Sequence, residues 1–118
     1  VIPWSPLARG RLTRDWSEQS ARSQTDEFGK GLYTRTTEDA DRRVVEAVAK
    51  LAQERSVPKA QIALAWILSK SEITAPIIGA TRLQHLDDAV AALEVKLATA
   101  EIDALESDYV PHPVAGFA

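Results

Sequence analysis

Cysteine is absent from the 118-residue chain, which removes disulfides, thiolate metal sites and a cysteine nucleophile together. Histidine is scarce. His85 and His112 are the only two, too few and too far apart for a convincing metal cluster, so no metal is expected. No run of eighteen apolar residues occurs and no signal-peptide pattern opens the chain. A soluble cytoplasmic protein without a membrane partner is therefore the default expectation. A basic excess is also missing: the net charge of −3 argues against a general nucleic-acid binder. Methionine is lacking as well, and the chain opens with Val1 inside what reads as a structural element, as a segment cut from a longer chain would.

What is present is an ordinary globular balance, 45% hydrophobic and 26% charged, fitting one small domain or part of a larger one. The charge is unevenly spread. Residues 1–35 hold six Lys/Arg against four Asp/Glu, and Arg9, Arg11 and Arg14 fall in the first fourteen residues with no acid among them. A solvated basic surface and a local anion site both account for that cluster.

The most organised stretch runs from Ala75 to Val90. Pro76-Ile77-Ile78 is a short apolar run suited to a buried strand of a parallel sheet. Gly79 ends it and permits a tight turn. Thr81 and Gln84 have capping-box spacing, which predicts a helix starting just after Thr81 with Leu86, Ala89, Val90 and Leu93 at helical spacing. A helix N-terminus offers free backbone N–H groups and the positive end of the dipole, and Arg82 adds a planar cation able to grip a phosphate with two hydrogen bonds. The unit reads as a phosphate site, although strand-to-helix turns of this kind occur throughout α/β proteins.

In chain order, Val1-Ile2-Pro3-Trp4-Ser5 reads as the end of a strand, and Pro6 to Leu12 as an irregular loop. Thr13 to Thr36 shows no sustained period, and segments of that length are usually functional or mobile. Its Trp16, Phe28, Leu32 and Tyr33 suit packing tabs or a lid. A helix is expected over roughly Glu38 to Arg55, capped by Thr36 or Thr37, with Val44, Val48, Leu51, Ala52 and Arg55 on one face. Ser56-Val57-Pro58 breaks it. The next helix, Lys59 to about Ser71, is apolar over much of its circumference and should sit between layers. Glu94 to Ala98 connects to a last helix, Ala100 to about Ser107, with Thr99 as cap. The tail, with two prolines and a late glycine, cannot be regular helix. Two strands separated by helices imply a parallel α/β arrangement. Two strands alone make no stable sheet, so missing neighbours are implied for them and for the apolar helix.

Val1-Ile2-Pro3-Trp4-Ser5-Pro6-Leu7-Ala8-Arg9-Gly10 resembles the seventh strand and following loop of aldo-keto reductases. Ala60-Gln61-Ile62-Ala63-Leu64-Ala65-Trp66 is similar to the helix before that family's last strand. Pro76-Ile77-Ile78-Gly79-Ala80-Thr81-Arg82 resembles the eighth strand and the turn holding the adenosine end of the nucleotide. Tyr109-Val110-Pro111-His112 is similar to the tail of bacterial members. The resemblance implies the C-terminal portion of a TIM (β/α)₈ barrel of about 300 residues. Residues 1–12 would be the seventh strand and cofactor loop, 13–36 a long loop, 37–107 the helices and eighth strand, and 108–118 the tail.

The same resemblance implies NADP(H) as cofactor and a small carbonyl substrate in the complete enzyme. Ser5, Pro6, Leu7, Ala8 and Arg9 match the loop along the pyrophosphate, and Trp4 the aromatic on the nicotinamide; a core tryptophan is the alternative. Gly79, Thr81 and Arg82 match the 2′-phosphate site, against a plain surface arginine. His85 and Asp88 fall where members place Gln and Glu against ribose and adenine. At Ala89 many members carry Asn, and at Asp15 some carry a basic residue for which Arg14 could substitute. The family's catalytic Asp, Tyr, Lys and His map onto none of Tyr33, Tyr109, His85 or His112, so no catalytic residue is named and the chain alone is expected to be inactive. Tyr109 and His112 are expected to pack the tail, with bordering the substrate pocket as the alternative. Exposed barrel-facing apolar surface should drive self-association. The rival is a non-enzymatic helical interaction module, binding a partner through its apolar helix face and having no nucleotide affinity.

Overall fold

The computed structural model describes residues 1–16, 37–111, 113 and 114. Most of the long segment, with Phe28, Leu32 and Tyr33, lies outside the described residues, as do His112 and Ala115 to Ala118.

Among the described residues four α-helices carry the fold: α1, Glu38–Arg55; α2, Lys59–Leu68; α3, Leu83–Ala91; and α4, Thr99–Glu106. Helix α1 has the expected bounds. Glu38, Asp39 and Asp41 sit in its first turn, where negative charge offsets the positive dipole end. Thr37 stands at its start with its hydroxyl 3.2 Å from the Asp41 carboxylate. The helix ends in a Schellman arrangement, the Val57 N–H donating to Ala52 O at 3.0 Å and the Ser56 N–H to Gln53 O at 3.1 Å. Ser56 takes the left-handed conformation, φ 54°, that glycine usually supplies there. Val57 then packs against the core, and Pro58 leads into α2 in an extended conformation.

Helix α2 is shorter than the expected span to Ser71. The Ser69 N–H is shared between the carbonyls of Ala65 and Trp66 at 3.0 and 3.1 Å, and its hydroxyl donates to Trp66 O at 2.6 Å. That side-chain competition tightens the last turn and stops the helix. Helix α3 starts without the expected capping box. Arg82, extended at φ −136° and ψ 150°, is the boundary residue, and the Gln84 amide donates forward to Asp88 Oδ1 at 3.0 Å instead of back toward Thr81. A 3₁₀ turn, Ala92–Glu94, continues α3. Thr99 is the first residue of α4 and not its cap; Ala98 precedes it, its N–H donating to the Glu101 carboxylate at 2.8 Å.

The two stretches read as strands do pair in parallel, through one bridge between Trp4 and Ile77. Ile77 N–H donates to Pro3 O and Thr74 N–H to Val1 O, both at 2.8 Å. Among the described residues they form no longer ladder, as expected of two segments without further strands beside them.

The core joins Val48, Leu51 and Ala52 of α1 to Ile62 of α2 and Leu105 of α4, with Leu12, Trp66, Val95 and Leu97 packed around them. Ile62 to Ala65 are buried without a break, because α2 lies between α1 on one side and α3 with its 3₁₀ turn on the other. The interlayer position read from the sequence is therefore met within the chain. The missing-neighbour expectation fails for α2, and the open apolar surface belongs to α3. Leu83, Leu86, Val90 and Leu93, spaced as one helix face, are all exposed, as are Val1, Ile2, Trp4 and Ile77. Tyr109 is 61% exposed and does not pack the tail.

Helix α4 is pinned at both ends. Arg55 forks onto Glu101, Nε to Oε2 at 2.6 Å and Nη2 to Oε1 at 2.5 Å, and Nη2 also donates to Lys96 O at 2.7 Å. At the other end Glu106 accepts from Lys70 and, at 2.8 Å, from the Trp66 indole. Arg55, with help from the Ala98 N–H, holds the Glu101 carboxyl down to about 2. Lys70 first and Trp66 second hold Glu106 below the usual carboxylate range. Among the described residues no helix is long and apolar enough to cross a membrane.

Candidate cofactor site

Because the Trp4–Ile77 bridge is parallel, the chain leaves both segments at the same end. The loop after Trp4 and the turn after Ile78 are thus neighbours at the carboxyl ends of the pair, where open and closed α/β sheets place their ligands.

The loop after Trp4 is conformationally costly. Ser5, Ala8 and Arg9 have φ of 57°, 49° and 56°, a left-handed region that L-residues with a Cβ occupy at a cost of order 1–3 kcal/mol each. A 3₁₀ turn, Ala8–Gly10, forms within it, with Ala8 N–H donating to Ser5 O at 3.0 Å and Gly10 N–H to Leu7 O at 2.9 Å. The Arg9 guanidinium lies 5.3 Å from the Trp4 ring centre, within cation–π range. Trp4 is 62% exposed, which excludes the core-tryptophan reading within this chain. Ser5, Pro6, Leu7, Ala8 and Arg9 are half-buried.

Several contacts fasten the far end of this loop. Arg14 donates from Nη2 to Arg9 O at 2.7 Å and from Nε to Gly10 O at 3.4 Å. Leu12 packs against the core. The Trp16 indole donates to Arg11 O at 3.0 Å, and its ring lies 4.2 Å from the Arg11 guanidinium and 5.2 Å from that of Arg42 on α1. Asp15 pairs with Lys59 at the start of α2, 3.1 Å apart. The arginine cluster is thus partly a scaffold for the loop and not a simple solvated patch.

On the second turn, Gly79, Thr81, Arg82 and His85 are exposed, and among the described residues the Arg82 side chain has no hydrogen bond or ion pair. Gly79 does not serve the backbone as the sequence suggested. Its φ is not in the left-handed region, and a Cβ built there meets nothing within 4 Å. Glycine at that position leaves space in front of the turn without being needed to make it. Asp88 is half-buried and accepts from both Gln84 and, at 3.3 Å, Gln61 of α2. Arg14, Gln61 and Trp16 were not singled out as organisers of the site, since their roles come from contacts across several residues or elements. Among the described residues no group of three or more His, Asp or Glu could hold a metal ion.

The chain belongs to the aldo/keto reductase family, whose model matches residues 1–109. Membership implies the (β/α)₈ barrel for the family's complete domain. It is 39% identical to a versiconal hemiacetal acetate reductase of Aspergillus parasiticus over 97% of this chain and 33% of that protein. Identity reaches 42% with a putative aryl-alcohol dehydrogenase of Schizosaccharomyces pombe, over 98% of this chain and 32% of that protein. An aldo-keto reductase of Fusarium vanettenii is 35% identical, over 98% and 31%. These relatives are fungal, so the bacterial likeness drawn from the tail is not the one they support. The chain spans about a third of their length. Family membership does not favour the interaction-module reading, and the apolar face of α2 is covered by α1 and α3.

Proposed function

We propose that this chain is the C-terminal, dinucleotide-binding portion of an NADP-dependent aldo-keto reductase of the cytoplasm, supplying the last two barrel strands, their helices and the tail. The observation that carries the reading is the parallel Trp4–Ile77 bridge, which sends a strained loop and an arginine-bearing helix start out of the same end. Arg82 and the backbone N–H groups at the start of α3 hold the 2′-phosphate, and an exposed guanidinium with no side-chain partner among the described residues fits that role. Thr81 lies in the same turn, and Gly79 keeps its entrance open. The Ser5–Arg9 backbone follows the diphosphate, Trp4 lies against the nicotinamide, and His85 and Asp88 lie toward the adenosine.

When bound, the cofactor supplies a hydride for a small aldehyde or ketone. The residues of this chain orient it; no catalytic residue is assigned here. The exposed Leu83, Leu86, Val90 and Leu93 face is covered by the rest of the barrel, and in the isolated chain it drives self-association.

The test is titration of the 118-residue chain and its Arg82→Ala variant with NADPH and NADH. Loss of a charge-assisted, two-pronged contact of about 1.5–3 kcal/mol lowers NADPH affinity roughly 10- to 100-fold and leaves NADH affinity nearly unchanged. Absence of NADPH binding by the parent chain, or an equal loss for both dinucleotides, refutes the assignment.

A further inference from the structure

The basic cluster of residues 9–14 divides into two kinds of arginine. Arg9 lies over Trp4, whereas Arg14 turns back on its own loop. Its guanidinium reaches Arg9 O at 2.7 Å and Gly10 O at 3.4 Å, the two carbonyls at the end of the left-handed run. Gly10 O is a focus of the turn, accepting also from the Thr13 N–H at 3.2 Å, the Arg14 N–H at 3.0 Å and the Thr13 hydroxyl at 3.3 Å. The guanidinium also lies against the Cα of Gly10. A Cβ there would stand 2.6 Å from Arg14 Nε and 2.7 Å from Nη2, and Gly10 itself has φ +91°. The positive φ is what calls for glycine here, and a Cβ would also push the Arg14 guanidinium out of its place.

We infer that Arg14 is a positioning residue, a strut whose planar fork joins the carbonyls of Arg9 and Gly10 and so holds Ser5, Ala8, Arg9 and Gly10 in their left-handed conformation. This rests on the reading of that backbone as the diphosphate loop. The physical argument is one of compensation. Three non-glycine residues in a disfavoured conformation relax to ordinary φ values unless the surroundings over-determine them. A guanidinium carries its donors on separate nitrogens in one rigid plane and can hold two backbone carbonyls at fixed separation, whereas the donors of lysine rotate about a single nitrogen and fix no such spacing. Arg14 therefore organises the diphosphate-binding backbone through Arg9 and Gly10, while phosphate discrimination belongs to Arg82.

The experiment compares the 118-residue chain with Arg14→Lys, Arg14→Ala and Gly10→Ala by two readouts. NMR couplings and Cα shifts of Ser5, Ala8 and Arg9 report the sign of φ directly, and NADPH and NADH titrations report the consequence. Circular dichroism of each variant checks that the helices persist. Expected are loss of the left-handed signature in all three variants and a fall of about tenfold in affinity for both dinucleotides, with the NADPH-to-NADH ratio unchanged. In the Gly10→Ala, Arg14→Ala double variant the losses should fall short of additive, because the side chain the new Cβ would strike has gone. Wild-type affinity in Arg14→Lys, or a changed NADPH-to-NADH ratio in any Arg14 variant, indicates a direct charge contact with phosphate and overturns the strut. If the parent chain binds neither dinucleotide, the diphosphate assignment fails by itself. The NMR arm still decides the strut: an unchanged left-handed signature in Arg14→Ala refutes it.

Discussion

Replacing Ile62 by alanine is the sharpest test of how this chain is packed. Ile62 has no exposed surface and touches the cluster of Val48, Leu51, Ala52 and Leu105. The substitution removes three carbons, worth about 0.8 kcal/mol each in transfer, or about 2.4 kcal/mol. The vacated space cannot collapse freely between α1 and α3, so the cavity raises the loss to about 3 kcal/mol. Leu83→Ala is the matched control on the open face. Leu83 is 74% exposed, so only about a quarter of its side-chain burial is at stake, about 0.5 kcal/mol. In urea, with a slope of about 1.5 kcal/mol per molar, the midpoints fall by about 2 M and about 0.3 M respectively. Melts followed by circular dichroism at several protein concentrations separate packing from association, since Leu83→Ala should also weaken self-association. Similar midpoint losses for the two variants would show that Leu83 is as closely packed as Ile62, and the account of the core would be wrong.

Acid should loosen α4 first. The Glu101 carboxyl is depressed from 4.5 to about 2 by Arg55 and then Ala98, so its contribution is full above about pH 4.5 and disappears as the pH falls toward 2. Urea midpoints at pH 7 and pH 3 should differ more for the parent chain than for Glu101→Gln, and parallel pH curves would count against the clamp. Glu106→Gln should shift the Trp66 indole N–H resonance, whose hydrogen bond it weakens, while leaving that of Trp4 in place; no shift would dissociate the pair. Gly79→Ala should leave stability within about 0.5 kcal/mol of the parent, because the backbone there is ordinary and the space open. A fall in NADPH affinity without loss of stability would mark that space as the ligand's, and unchanged affinity would remove Gly79 from the site.

The helices were legible where periodicity and punctuation agreed. The α1 apolar face and the Ser56-Val57-Pro58 break fixed its ends, and the all-round apolar composition of α2 located the middle layer. The boundaries that failed depended on where one polar side chain turned. Ser69 hydroxyl took Trp66 O, and Gln84 took Asp88, choices that pattern alone leaves open. At the candidate site, Arg82 and Gly79 were visible through the strand–turn–helix pattern, but the backbone conformation at Gly79 was not. Gly79 looked like the residue that permits a tight turn, but its backbone is ordinary and the space before it is open. The strain at Ser5, Ala8 and Arg9 leaves no trace in composition, because nothing about those residue types favours a left-handed backbone. Arg14 looked like a substitute for the basic residue that some family members carry at Asp15, and its fork reaches two backbone carbonyls.

Leu105 closes the same cluster as Val48, Leu51 and Ile62, and Arg55 finds Glu101 46 residues further along the chain. During synthesis, then, α1 and α2 emerge with their shared face still lacking its last side. The nascent chain must carry that apolar surface until α4 leaves the ribosome and can be latched by Arg55 and Lys70. Folding of this core is thereby deferred until the sequence of α4 has been made.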